Sequence, residues 1–354
     1  MAEERYSCEY LESGLAFYFD RITACGVTHH QTGMPLLAYY AGGSLPVEEI
    51  AANRAKIHLE NQNGAHAACR LCPNLVRRVW HASEDGVIRW LGLTHFNGCN
   101  LACDYCWLQW AANSPRLSRY NRRVAAYDVT PVVRQLIDEG ILASDATVDW
   151  GGGGEPTTMP EFDRVFCLLA QNGATQWLHT NAVRLPEPVL RREVDFGRLR
   201  VICSVDSGTP ETYRAIKEKD QFERVWENLT FYRQHGAMVA AKYIVQGNNC
   251  DRVNLKGFVH RARKAKVDLI LPDIDLRFPD PKQEIIEALA FLCYRAFRAG
   301  LQFQFGSTGV NSAPELGVKK RVEEVLRIRK LLPGFWLSRA VRALQECSRK
   351  ISGP

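Results

Sequence analysis

Three cysteines, Cys99, Cys103 and Cys106, fall within eight positions of the stretch FNGCNLACDYCW. They follow VIRWLGLT, an apolar, β-rich run. Three crowded thiols are too many for one disulfide and one short of a closed tetrahedral zinc site. Thiolate sulfur is the preferred ligand of iron–sulfur clusters. A cube of four irons gripped at three corners leaves one iron able to chelate a small molecule. The same spacing also admits three unrelated buried thiols, or three zinc ligands completed elsewhere in the chain.

A second stretch lies one strand–helix unit later. WGGGGEPT, residues 150–157, puts four glycines at the end of an apolar strand pattern. Glycines there remove side chains where a ligand must meet the backbone. Glu155 offers a carboxylate to an ammonium group, Pro156 stiffens the exit, and Tyr105 could shelter a cluster or lie against a ligand's ring. Taken alone, a glycine run is more often a turn.

The elements that must position these groups alternate regularly. Strands are predicted at VIRWLGLT (87–94), ATVDW (146–150), TQWLHT (175–180), LRVICSVD (199–206), MVAAKYIV (238–245) and VDLILPDI (267–274). Amphipathic helices lie between them. One starts at Thr130 and Pro131 and stops at Gly140. A second carries Phe222, Val225, Trp226, Leu229 and Tyr232 on one face and ends at Gly236. A third ends at Gly300. Such alternation predicts an α/β fold of parallel strands joined by right-handed crossovers, as an open sheet or a barrel, with ligands at the C-terminal strand ends. Residues 1–86, with short helical pieces, read as an N-terminal extension with a CX2C metal site, residues 87–280 as the core, and residues 281–354 as a helical C-terminal region holding two basic amphipathic helices.

CX3CX2C with an aromatic residue before the last cysteine, followed by a GGEP-type strand end, resembles the radical S-adenosylmethionine (radical SAM) superfamily. The resemblance covers roughly residues 87 to 280. It implies a (β/α)6 partial TIM barrel with an N-terminal extension and a helical C-terminal cap. It also implies that Cys99, Cys103 and Cys106 hold a [4Fe–4S] cluster whose open iron binds SAM, which is cleaved reductively to a 5′-deoxyadenosyl radical that abstracts hydrogen from substrate. By the same resemblance Gly152, Gly153, Gly154 and Glu155 meet the methionine end of SAM. Ser204 and Asp206 match the ribose-binding place, although SGTPETY is equally a helix-capping sequence. Lys242 either pairs with the SAM carboxylate or is an edge lysine without that role. An electron donor such as a flavodoxin or ferredoxin would complete the system.

On the substrate side stand His179 and Asn181 at the third strand end, and Asp273, Asp275 and Arg277, which alternate along the sixth. An Asp/Asp/Arg set suits a polyol or phosphorylated ligand, with arginine as a forked anion clamp. An internal salt bridge and an ordinary core histidine are the plain alternatives. These residues point to a small polar substrate, such as a sugar or nucleotide derivative. The alternatives are a peptide- or protein-modifying maturase or activase, and a zinc or iron–sulfur protein that binds or carries electrons without catalysis. Only Cys293 and Cys347 lie beyond residue 260, which weighs against the cysteine-dense extension of many peptide-modifying relatives.

Cys69 and Cys72 form a CX2C pair in HAACRLCP, half of a zinc site or of a second cluster. Further ligands would come from His66 and one of Cys8, Cys25, His29 or His30; otherwise the pair is two unliganded thiols in a turn. The chain of 354 residues is 46% hydrophobic, enough for one large domain or two unequal ones. Its 12 cysteines, with no secretory signal and no apolar span of membrane length, predict a reduced cytoplasmic protein. A net charge of +6 from dispersed basic residues predicts neither nucleic-acid nor membrane partners.

Overall fold

The computed structural model describes residues 3–26, 34–64, 66, 68–70, 72, 74–80, 86–106, 127–151, 154–305 and 313–328. Two compact units divide the chain. The first holds residues 1–100, 111–179 and 185–200, and the second holds 101–110, 180–184 and 201–354.

The first unit opens with β1 (Glu3–Ser7), α1 (Glu9–Ser13), β2 (Gly14–Phe17), β3 (Arg21–Thr23), β4 (Leu36–Tyr39), α2 (Val47–Gln62) and β5 (Val76–Trp80). It continues through β6 (Ile88–Leu93), α3 (Thr130–Asp138), β7 (Leu142–Trp150), α4 (Phe162–Gln171), β8 (Thr175–Thr180) and α5 (Glu187–Leu190). Its sheet runs β8-β7-β6-β2-β3-β4, while β1 and β5 form a separate antiparallel pair. β6 lies parallel to β7 and to β2, and β7 parallel to β8. The N-terminal region is therefore strand-rich, where the sequence suggested short helical pieces. β2 joins the central sheet beside β6, and β3 and β4 extend it antiparallel. All four residues of β2 are buried, so it lacks the polar–apolar alternation that marks a strand in sequence.

Helix α3 begins at Thr130 with Pro131 in its first turn, and Asp128 accepts the Thr130 N–H at 2.8 Å. In the core, Trp150 packs on Phe162 with ring centroids 4.7 Å apart. Its indole N–H donates to Gln176 at 2.9 Å, which leaves no cost for burying that polar atom.

The second unit carries β9 (Leu199–Ser204) from Val201 onward, α6 (Pro210–Lys217), α7 (Phe222–Gln234), β10 (Met238–Val245), α8 (Arg252–Lys264), β11 (Leu269–Ile274), α9 (Gln283–Arg298), β12 (Gln302–Phe303) and α10 (Ala313–Ile328). Its strands run β12-β11-β10-β9, with β10–β11 and β11–β12 parallel. β10 and β11 are buried along nearly their whole length, as in a parallel sheet covered on both faces. The apolar face read for α7 is the buried one: Phe222, Val225, Trp226, Leu229 and Tyr232. Only the first of the two C-terminal helices falls within the described residues.

The predicted α/β class, with parallel strands and intervening helices, is present. All six predicted core strands form, with bounds shifted by at most four residues. No described helix is long and apolar enough to cross a membrane.

Candidate functional site

The site residues of the first unit gather at the C-terminal end of β7. There the backbone of Asn97–Gly98, which leads to the exposed Cys99, packs on the glycine-run exit. Glu155 N–H donates to Gly98 O at 2.8 Å. A Cβ on Gly154 would come within 2.4 Å of Gly98 O and 2.8 Å of the Asn97 carbonyl carbon, so only glycine fits this approach. Gly152 and Gly153 lie outside the described residues. Glu155, 2% exposed, accepts from Thr157 N–H at 3.2 Å and from the Thr157 hydroxyl at 2.6 Å, capping the short turn that Pro156 opens.

Replacing Gly154 with alanine is expected to cost about 1–3 kcal/mol, since backbone rather than a flexible side chain must move. Urea denaturation of the pair reads it, and an unchanged midpoint would show that the two segments are not in contact.

His179 Nε2 stands 3.4 Å from Asp149 Oδ1 in the same unit. Burial pushes the Asp149 carboxyl up, and the His179 imidazole draws it back. Deeper in, the fully buried His95 meets Glu161 at 3.1 Å, a pair that no sequence motif marked.

In the second unit, Cys103 and Cys106 are half-buried on a turn closed by Cys106 N–H to Cys103 O at 3.0 Å. This part of the cysteine loop is docked on the C-terminal end of α6. Ala102 N–H donates to Lys217 O at 3.3 Å and Asp104 N–H to Ile216 O at 3.0 Å. A helix leaves its last carbonyls without partners, and the loop supplies them here. Arg277 adds a third tie, donating to Asp104 O at 2.9 Å.

Beneath the loop lies a buried polar centre. Asp206, fully buried, accepts from Lys217 Nζ at 2.5 Å and from the Tyr105 hydroxyl with one oxygen. Its other oxygen accepts the Ile244 N–H at 2.7 Å. Burial alone would lower the Lys217 ammonium, but Asp206, with Cys103 adding, holds it up at about 12. Burial likewise pushes the Cys103 thiol up while Lys217 opposes it, and it raises the Tyr105 phenol well above its usual value. Asp206 has φ +58, a left-handed conformation that Asp tolerates and that its hydrogen bonds fix. Lys217, 1% exposed, is the centre's cation and escaped the sequence reading. A lysine in the last turn of an amphipathic helix reads as solvent-facing, and nothing in its neighbours says otherwise.

The remaining predicted residues fall as follows. Thr209 caps α6, accepting Thr212 N–H at 3.3 Å, so SGTPETY does serve as a cap. Ser204 ends β9. Lys242 pairs with Asp273 at 2.6 Å. Asp275 is gripped by the Arg277 fork, at 2.9 Å from Nε and 2.5 Å from Nη2, so the sixth-strand set consists of two closed ion pairs. Asn181 accepts Val183 N–H at 3.0 Å in an Asx turn.

By donor chemistry Cys99, Cys103 and Cys106 suit an iron–sulfur cluster, being thiols outside any disulfide, although among the described residues no three His, Cys, Asp or Glu side chains are gathered closely enough to grip an ion.

Comparisons with known proteins bear on this arrangement. No curated protein sequence matches the chain. Among solved structures it is similar to Streptococcus suis SuiB bound to precursor peptide SuiA, at 13% identity and TM-score 0.47, covering 75% of this chain and 65% of that one. It is similar as well to a radical SAM methyltransferase from Sphaerobacter thermophilus (14% identity, TM-score 0.41, 61% of this chain and 66% of that one). A third is TYW1 with a lysine–pyruvate adduct bound (17% identity, TM-score 0.41, 58% and 73%). The chain thus spans 65% of the length of the SuiB chain. Residues 93–248, which include all three cysteines and the glycine run, match the family model of the radical SAM superfamily.

Proposed function

We propose that the chain is a radical SAM enzyme acting on a small polar substrate, with a sugar or nucleotide derivative as the expected class. The observation that carries the reading is the family match across the CX3CX2C loop and the glycine strand end. When bound, a [4Fe–4S] cluster and SAM supply, on one-electron reduction by a flavodoxin- or ferredoxin-type donor, a 5′-deoxyadenosyl radical able to abstract hydrogen from carbon.

The chain's own residues do the holding. Cys99, Cys103 and Cys106 would ligate the cluster, and Gly152, Gly153, Gly154 and Glu155 would receive the methionine end of SAM. With both carboxylate oxygens engaged by protein, Asp206 acts as a positioning residue for the cysteine loop, through Tyr105 and Lys217, rather than as a ribose ligand. That leaves Ser204 for the ribose. Lys242 would reach the SAM carboxylate only by exchanging Asp273 for it. His179 keeps about a quarter of its side chain exposed (24%) and, with Asn181, is the substrate-side candidate. Asp273, Asp275 and Arg277 would meet substrate only if their pairs open; otherwise Arg277 serves the loop.

Anaerobically reconstituted protein given dithionite and SAM is expected to release 5′-deoxyadenosine and methionine, read by mass spectrometry. Fully loaded protein that releases neither would leave an electron carrier or binding protein as the better account. In the same assay Glu155→Ala is expected to keep its iron while weakening SAM binding roughly tenfold, about 1.4 kcal/mol for one charge-assisted contact. Deuterated candidate metabolites then identify the substrate by label appearing in deoxyadenosine.

A further inference from the structure

Four of the chain's cysteines meet at a second place, wholly within the first unit. Cys8, Cys25, Cys69 and Cys72 all line one cavity of about 400 Å³, a volume that includes its open mouth. They arrive from three separate segments: the N-cap of α1, the stretch after β3, and the turn beyond α2. None of the four is in a disulfide. Among the described residues no Asp, Glu, Lys or Arg lines the cavity, and much of the wall is apolar, from residues such as Leu11, Pro35 and Leu75.

The local geometry suits thiolate ligation. Cys8 Sγ accepts the Leu11 N–H at 3.3 Å, a bond that favours a charged sulfur. Cys72 N–H donates to Cys69 O at 2.9 Å, and Cys69 N–H to His66 O at 3.1 Å, so the CX2C pair sits on a tight turn with both thiols at the same cavity. Among the described residues no three His, Cys, Asp or Glu side chains are already gathered closely enough to grip an ion. The four sulfurs must therefore turn inward about their χ1 bonds or span an object wider than an ion.

We propose that Cys8, Cys25, Cys69 and Cys72 form a tetrathiolate site for a soft metal centre, zinc or an iron–sulfur cluster. A thiophilic metal would offset the charge of four thiolates in this largely apolar pocket and cross-link the three segments that bring them there. His66 is not a ligand in this assignment. The site is independent of the reading of the Cys99–Cys106 loop.

The test is metal analysis of anaerobically purified protein, unaltered and with Cys99, Cys103 and Cys106 all replaced by alanine. The triple variant is expected to retain about one zinc, or iron with matching acid-labile sulfide, per chain, so the two metals are told apart directly. Cys8→Ser or Cys25→Ser added to it is expected to lower that content at least tenfold. A triple variant without metal, or metal that survives both serine changes, would overturn the site. Should the variants fail to fold, the unaltered chain still decides. Zinc-edge absorption is then expected to give four sulfurs at about 2.3 Å, or the iron count to exceed the roughly four of one cluster. Mixed nitrogen and sulfur ligands, or four irons and no zinc, count against the proposal.

Discussion

Cys103→Ala, reconstituted with iron and sulfide under anaerobic conditions, is expected to lose the cluster of the CX3CX2C loop and all SAM cleavage. Two remaining thiolates cannot hold three corners of a cube. Cys103 would be the middle ligand; burial pushes its thiol up and the Lys217 ammonium opposes that. The measurement is iron and sulfide content beside deoxyadenosine yield. Iron at the Cys99–Cys106 loop equal to that of the unaltered chain would remove Cys103 from the ligand set. Circular dichroism separates loss of metal from loss of fold.

The next largest effect is expected at Lys217. Removing it leaves the Asp206 carboxylate fully buried with its cation gone, a change that costs about 3–5 kcal/mol. Lys217→Ala should therefore shift the urea midpoint strongly at constant slope. A double replacement, Lys217→Met with Asp206→Asn, should recover most of the loss. Methionine fills the lysine's volume, and asparagine keeps an acceptor for Ile244 N–H and tolerates the left-handed backbone. A single variant that loses less than about 1 kcal/mol would show the pair to be solvated, in the range of a surface salt bridge. Cluster content should fall with Lys217→Ala too, because Tyr105 and residues 102–104 are docked on this centre and on the end of α6.

Two kinds of feature were legible in the sequence. The six core strands and the face of α7 follow from short-range periodicity, which the chain carries whatever its neighbours do. The cysteine triplet and the glycine run are equally local: their spacing is itself the chemical feature. The N-terminal strands were not legible. β2, β3 and β4 have four, three and four residues, too short for a period, and they become strands by pairing with one another and with β6.

The sequence by itself determined the α/β alternation and picked out the cysteine loop and glycine strand end on which the family resemblance rests. Only the tertiary structure decided what Asp206 does, why Lys217 is buried, which ions already hold Lys242 and Arg277, and which four cysteines share one cavity. Some of those pairings join distant residues, 101 positions apart for Tyr105 and Asp206, and the nearer ones turn on which face a side chain presents. Such proximity is fixed by topology and burial, and neither is written in any window of neighbouring residues.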